Sequence, residues 1–136
     1  MDIDSHSDAE IKNFLSLKKV AVIGMSRTES KAAHFVPKYL SENGFDIIPI
    51  NPNSNKILNK KCYKEIIEVD GEIDIVDVFR PSEDVLPFVK EAIKKNPKVI
   101  WLQEGIHNEE AENLAREHGI DVVFNRCMLA EHQRLM

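Results

Sequence analysis

Seven consecutive residues constrain this chain more than any others: Val20-Ala21-Val22-Ile23-Gly24-Met25-Ser26. A short, wholly apolar run reads as a strand covered on both faces, the pattern of a parallel sheet between helices. The glycine that ends it permits a tight turn and a close backbone approach to a ligand. Behind it, Phe35, Val36, Tyr39 and Leu40 keep helical spacing, and Gly44 is a suitable stop. The unit is strand, turn, helix, the opening piece of an alternating α/β sheet.

The remaining chain continues the alternation. Ser7 and Glu10 match a capping box for a helix with Ile11, Phe14 and Leu15 on its inner face, and residues 1–6 before it read as flexible. Strands are predicted at about 19–24, 45–50, 73–79, 98–102 and 121–124. The stretch 51–64 reads as loop with a short extended piece near Cys62-Tyr63, and 65–69 as a helical turn. Ser82 is expected to cap a helix with Val85, Val89, Ala92 and Ile93 inward, which Pro87 makes start late or bend. Asn108, Glu109 and Glu110 lead a further helix that Gly119 closes, and a short helix is predicted over 127–134. Pro37 suits its helix only near the first turn. The expected fold is one Rossmann-like, doubly wound α/β domain over 1–136, with about five parallel strands and helices on both faces.

Composition narrows the function. The 18 Lys and Arg against 23 Asp and Glu give a net charge of −5, so no general attraction to nucleic acid or an anionic membrane is expected. No apolar run approaches the roughly 20 residues of a membrane helix. Met1-Asp2-Ile3-Asp4 lacks the order of a secretory signal, and a cytoplasmic setting is expected. Cys62 and Cys127 have no metal-ligand spacing, so no metal is expected; a disulfide between them stays open.

In such sheets ligands sit beyond the carboxyl ends of the strands. That rule selects Gly24-Met25-Ser26, Asn51-Pro52-Asn53, Phe79-Arg80-Pro81 and Gln103-Glu104-Gly105. The first loop has one glycine where a dinucleotide fingerprint has three, and the second strand ends on Asn51 where an acid would hold a ribose diol. Both features argue against a dinucleotide dehydrogenase. Ser26, Arg27, Thr28, Ser30 and Lys31 instead offer hydroxyls and cations to phosphate, unless they form an ordinary polar loop. Arg80 meets either a phosphate or Glu83 or Asp84; Glu104 faces either ligand or water. His34 either bonds a phosphate or caps its helix, and His118 reads as structural. Trp101 reads as core. Cys127 and His132 suggest a thiol nucleophile without a placeable acid partner, so no catalytic residue is assigned.

Together these segments resemble the small single-domain CoA-binding proteins, similar in turn to the N-terminal CoA-binding domain of the succinyl-CoA synthetase α-subunit. The resemblance covers about 15–135. Its carriers are Val20 to Ser26, Ile50-Asn51-Pro52-Asn53, Asp74 to Arg80, Trp101-Leu102-Gln103-Glu104-Gly105, and Asn125-Arg126-Cys127 with Glu131-His132. It implies a five-stranded Rossmann-like fold that binds coenzyme A or an acyl-CoA. By position it likens Ser26, Arg27, Thr28 and Glu29 to a first CoA loop. Asn51-Pro52-Asn53 with Ser54 or Lys56 corresponds to a second, and Gln103-Glu104-Gly105 to a third. Arg27 stands where the synthetase loop is glycine-rich. The sequence ends before the synthetase's second domain, so the resemblance carries no ligase activity. A non-catalytic binding or regulatory module is therefore expected, with a homo-oligomer or a partner enzyme subunit left open. The alternatives are an enzyme acting on acyl-CoA through Cys127, a NAD(P)-linked reductase, or a pure interaction scaffold.

Overall fold

The structure, a computed structural model, describes residues 1–136. Its strands are β1 (Lys19–Ile23), β2 (Asp46–Ile50), β3 (Lys56–Ile57), β4 (Lys60–Lys61), β5 (Ile75–Val78), β6 (Val99–Leu102) and β7 (Asp121–Val123). Its helices are α1 (Asp8–Phe14), α2 (Ala32–Glu42), α3 (Val85–Ile93), α4 (Glu109–Glu117) and α5 (Met128–Leu135). Five parallel strands form one sheet in the order β2-β1-β5-β6-β7, as the apolar runs predict.

Strand alternation divides the core in two. Val20 and Val22 of β1 join Trp101, Leu40 of α2, Ile11 of α1 and Met128 of α5 on one face. Ala21 and Ile23 join Val89 and Ala92 of α3 and Ala111 and Ala115 of α4 on the other. The chain thus winds one way from β1 to β2 and the opposite way from β5 onward. The reversal falls between β1 and β5, and there a crevice opens at the strand ends.

Local caps follow the sequence. Ser7 Oγ accepts the Glu10 N–H at 3.2 Å, and Glu10 Oε1 accepts the Ser7 N–H at 2.9 Å. Asn108 caps α4 by accepting the Ala111 N–H at 3.0 Å. Ser82 does not cap α3. A 3-10 turn over Ser82–Asp84 precedes that helix, and Pro87 falls in its first turn, where a missing N–H costs nothing.

Pro37 sits in the middle of α2, beyond the first turn the sequence allows it. Its missing N–H leaves the Ala33 carbonyl without a helical donor, and the Ser26 N–H fills that place at 3.1 Å. One proline thereby anchors the loop after β1 to the helix that follows it.

The segment 51–64 contains the β3–β4 hairpin where the sequence predicts a loop. Leu58 and Asn59 turn it with φ of 54° and 60°, the backbone of a tight hairpin turn. The extended piece expected at Cys62-Tyr63 is present as a bridge from Tyr63 to Ile50.

Residues 1–6, expected to be flexible, carry a buried anchor. Asp4 accepts from Arg126 Nη2 at 2.8 Å and Nε at 3.1 Å, and from the Phe124 N–H at 3.1 Å. His6 Nε2 lies 3.0 Å from the Val122 carbonyl. These contacts occupy edge groups of β7, a sheet edge that would otherwise be open. Asp4→Asn is expected to lower stability by about 2 kcal/mol in urea unfolding, since Arg126 then keeps a buried charge with only Glu131 beside it.

Candidate functional site

The site begins with Gly24. Its φ is +81°, and a Cβ built there would lie 2.4 Å from the Phe79 carbonyl oxygen and 3.2 Å from Arg80 Cδ. The ends of β1 and β5 therefore meet over a floor with no side chain. Above it lies a cleft of about 440 Å³. Ile23, Gly24, Ile50, Asn51, Pro52 and Asn53 line one side, and Arg80 with Pro87, Phe88 and Glu91 of α3 the other. Lys64, Glu65 and Ile66 close it.

Of the sequence-predicted residues, Gly24, Asn51, Pro52, Asn53 and Arg80 come together here. The Arg80 guanidinium lies 5.4 Å from the Phe88 ring centroid and 3.8 Å from Asp84, and its Nε is buried without a partner. The surface pairing expected for Arg80 is thus real but long, and one buried donor has no protein partner.

Other predicted residues do structural work. Asn51 donates to the Met25 carbonyl at 2.7 Å and accepts the Asn53 N–H at 2.8 Å, tying the first two strand-end loops together. Met25 is wholly buried in the core. Ser26 uses its N–H on Ala33, its carbonyl on His34 Nδ1 at 2.7 Å, and its hydroxyl on the Thr28 N–H at 3.0 Å. Ser26 and His34, expected to meet phosphate, thus help to hold the loop, Ser26 Oγ as an acceptor and His34 through Nδ1. Arg27, Thr28, Lys31 and Lys56 are exposed and outside the cleft lining, as is Pro81. Phe79 is half-buried, its N–H bonded to Ile23 at 2.9 Å.

The third loop divides likewise. Glu104 and Gly105 are exposed, but Gln103 is buried, donating to Asp77 Oδ1 and accepting the Met128 N–H at 3.3 Å. Asp77 lies in the central strand β5 with Oδ2 unpartnered. Burial pushes its carboxyl up to about 8, against a smaller downward pull from the Gln103 amide.

The suggested Cys127–His132 nucleophile is not assembled. His132 Nδ1 is bonded to the Tyr39 hydroxyl at 2.7 Å, between the Tyr39 and Phe45 rings. Burial pushes the Cys127 thiol up, against a smaller downward pull from the Ala130 and Leu129 N–H groups. Such a thiol stays protonated near neutral pH. Both cysteines are free, with no disulfide. Trp101 is core, as expected, its Nε1 donating to the Arg126 carbonyl at 2.8 Å.

Sequence reading missed Lys64, Glu65, Glu91 and Phe88 in the cleft. Phe88 gave no separate signal: it stands three residues after Val85, on the same apolar stripe as Val89 and Ala92, and is half-buried at its edge.

A doubly wound parallel sheet with a glycine-floored cleft at its switch point has the arrangement in which open α/β sheets place their ligands. Comparison narrows the class. Residues 18–133 match the family described as CoA binding domain, and the chain belongs to that family. It is similar to the uncharacterized protein YneT of Bacillus subtilis, 38% identical over 93% of this chain and 94% of the relative. A hypothetical protein from Pyrococcus horikoshii OT3 superposes with a TM-score of 0.93 at 39% identity, covering 96% of this chain and 93% of that one. An ADP-forming acetate–CoA ligase of Methanocaldococcus jannaschii is 32% identical over 89% of this chain, which spans only 18% of that enzyme. No helix is long and apolar enough to cross a membrane.

Proposed function

We propose that this chain binds coenzyme A or an acyl-CoA at the strand ends and acts as a binding or regulatory module without a nucleophile of its own. The adenosine phosphate end occupies the cleft. Gly24 leaves room for backbone approach, Phe88 offers a face for the base, and Arg80 and Lys64 supply cations for phosphate. The single observation that carries the reading is the unpartnered Arg80 Nε beside a floor that a single Cβ would obstruct. The protonated Cys127 and the engaged His132 support binding over thiol catalysis. Because Asn51, directly after β2, is no acid and is tied to Met25 and Asn53, nothing at that position grips a ribose diol as an acid would, which disfavours a NAD(P) reductase.

Titration calorimetry with CoA, dephospho-CoA, 3′,5′-ADP and NAD tests this. CoA is expected to bind, dephospho-CoA more weakly, and NAD not measurably. Arg80→Gln is expected to weaken CoA by about 1.5–3 kcal/mol, the worth of a charge-assisted hydrogen bond. Absence of heat with millimolar CoA refutes the reading.

A further inference from the structure

The third strand-end loop is held from two sides by residues outside the cleft. Asn125, in the turn after β7, adopts φ of +53°. Its Oδ1 accepts the Gly105 N–H at 2.6 Å, and its Nδ2 donates to the Asp2 carbonyl at 3.0 Å and the Met1 carbonyl at 3.2 Å. On the other side, Ser82 Oγ donates to the Gly105 carbonyl at 3.3 Å and accepts the His107 N–H at 3.0 Å. Both backbone groups of an exposed glycine are thus fixed by side chains from distant segments. The segment carrying Asp2 is itself locked by the buried Asp4–Arg126 pair.

An exposed loop ordinarily bonds to water and needs no such clamp. Its position gives the reason. In the strand order, β6 stands two places from β1, so its end lies roughly 10 Å from the Gly24 floor at the usual strand spacing. A CoA molecule with its adenosine phosphates in the cleft must extend beyond it, and the β6 end is where the next part of the molecule passes. Resting on the CoA reading above, we propose that Asn125 is a positioning residue: braced by residues 1–4, it sets the Glu104–Gly105 loop for the pantetheine portion of the ligand.

The test compares CoA with 3′,5′-ADP, which lacks pantetheine. Asn125→Gly keeps the left-handed backbone available and deletes both sets of bonds. It is expected to weaken CoA by about tenfold, the equivalent of one lost hydrogen bond, while leaving 3′,5′-ADP unchanged. Ser82→Ala is expected to show the same selectivity, and Asn125→Asp, which restores the acceptor for Gly105, to recover part of the loss. Equal weakening of both ligands, or no weakening of either, overturns the assignment. Amide exchange at Gly105 reads the clamp without ligand: faster exchange in Asn125→Gly supports it, and an unchanged rate overturns it. If the unaltered protein binds neither ligand while the Gly105 amide responds, the CoA reading falls and the ligand-positioning role falls with it, but the clamp stands.

Discussion

Replacing Gly24 with alanine is expected to destabilise the protein by about 4 kcal/mol and to abolish ligand binding in the fraction that still folds. Two effects add. A left-handed backbone conformation with a Cβ costs about 1–2 kcal/mol. Steric overpacking costs about 1–3 kcal/mol more, and here the clashing atom, the Phe79 carbonyl oxygen at 2.4 Å, is backbone and cannot rotate away. Any relief separates β1 from β5 and moves Arg80, whose Cδ lies 3.2 Å from the same point. Gly44→Ala is the control: its φ is +92°, but nothing lies within 4 Å of the added carbon. That variant is expected to lose only the conformational part, about 1–2 kcal/mol. Urea unfolding of both variants checks the difference; equal losses would show that the strand approach at Gly24 carries no packing constraint.

Asp77→Asn is expected to stabilise the protein, by an amount that grows with pH. The folded chain keeps the Asp77 proton up to about pH 8, whereas an unfolded aspartate releases it near the usual 3.8. Between those values the folded state binds more protons, so stability falls as pH rises and then levels off above about 8. Asparagine matches the protonated acid in shape, retains the acceptor for Gln103, and never ionises. The gain is expected to be small near pH 4 and on the order of 3–5 kcal/mol by pH 8. Urea midpoints of both proteins from pH 4 to 8.5 test it. Parallel profiles would mean that Asp77 does not hold its proton in the fold. The same residue explains a dependence among the strand-end loops. Gln103, expected to face the ligand, is instead turned to Asp77 and to the N–H that opens α5.

Several elements were legible because their determinants are local. The apolar runs at Val20–Ile23, Ile75–Val78 and Val99–Leu102 are strands because no residue in them but Asp77 resists burial. The Ser7–Glu10 box and the Asn108 cap act within four residues. The strand-end rule brought Gly24, Asn51, Pro52, Asn53 and Arg80 to the cleft, because adjacency of parallel strand ends follows from the α/β alternation alone. The β3–β4 hairpin was not legible, since Leu58-Asn59 lacks the glycine that marks such turns. The place of Lys64 depends on the Tyr63 bridge to β2, which the intervening β3–β4 hairpin sets up and which no local pattern marks.

The α/β class, the five strands and the family were readable from short stretches, since periodicity and strand-end residues are local properties. Which polar groups are tied to protein partners emerged from the fold alone. Ser26, His34, Asn51 and Gln103 carry the right chemistry for a site, yet each hydrogen-bonds to protein groups, in most cases on other segments. Arg80 Nε is the buried side-chain donor that the fold leaves without a partner. A hydrogen-bonding group has few partners to give, and when the fold has claimed them the residue type no longer reports its function.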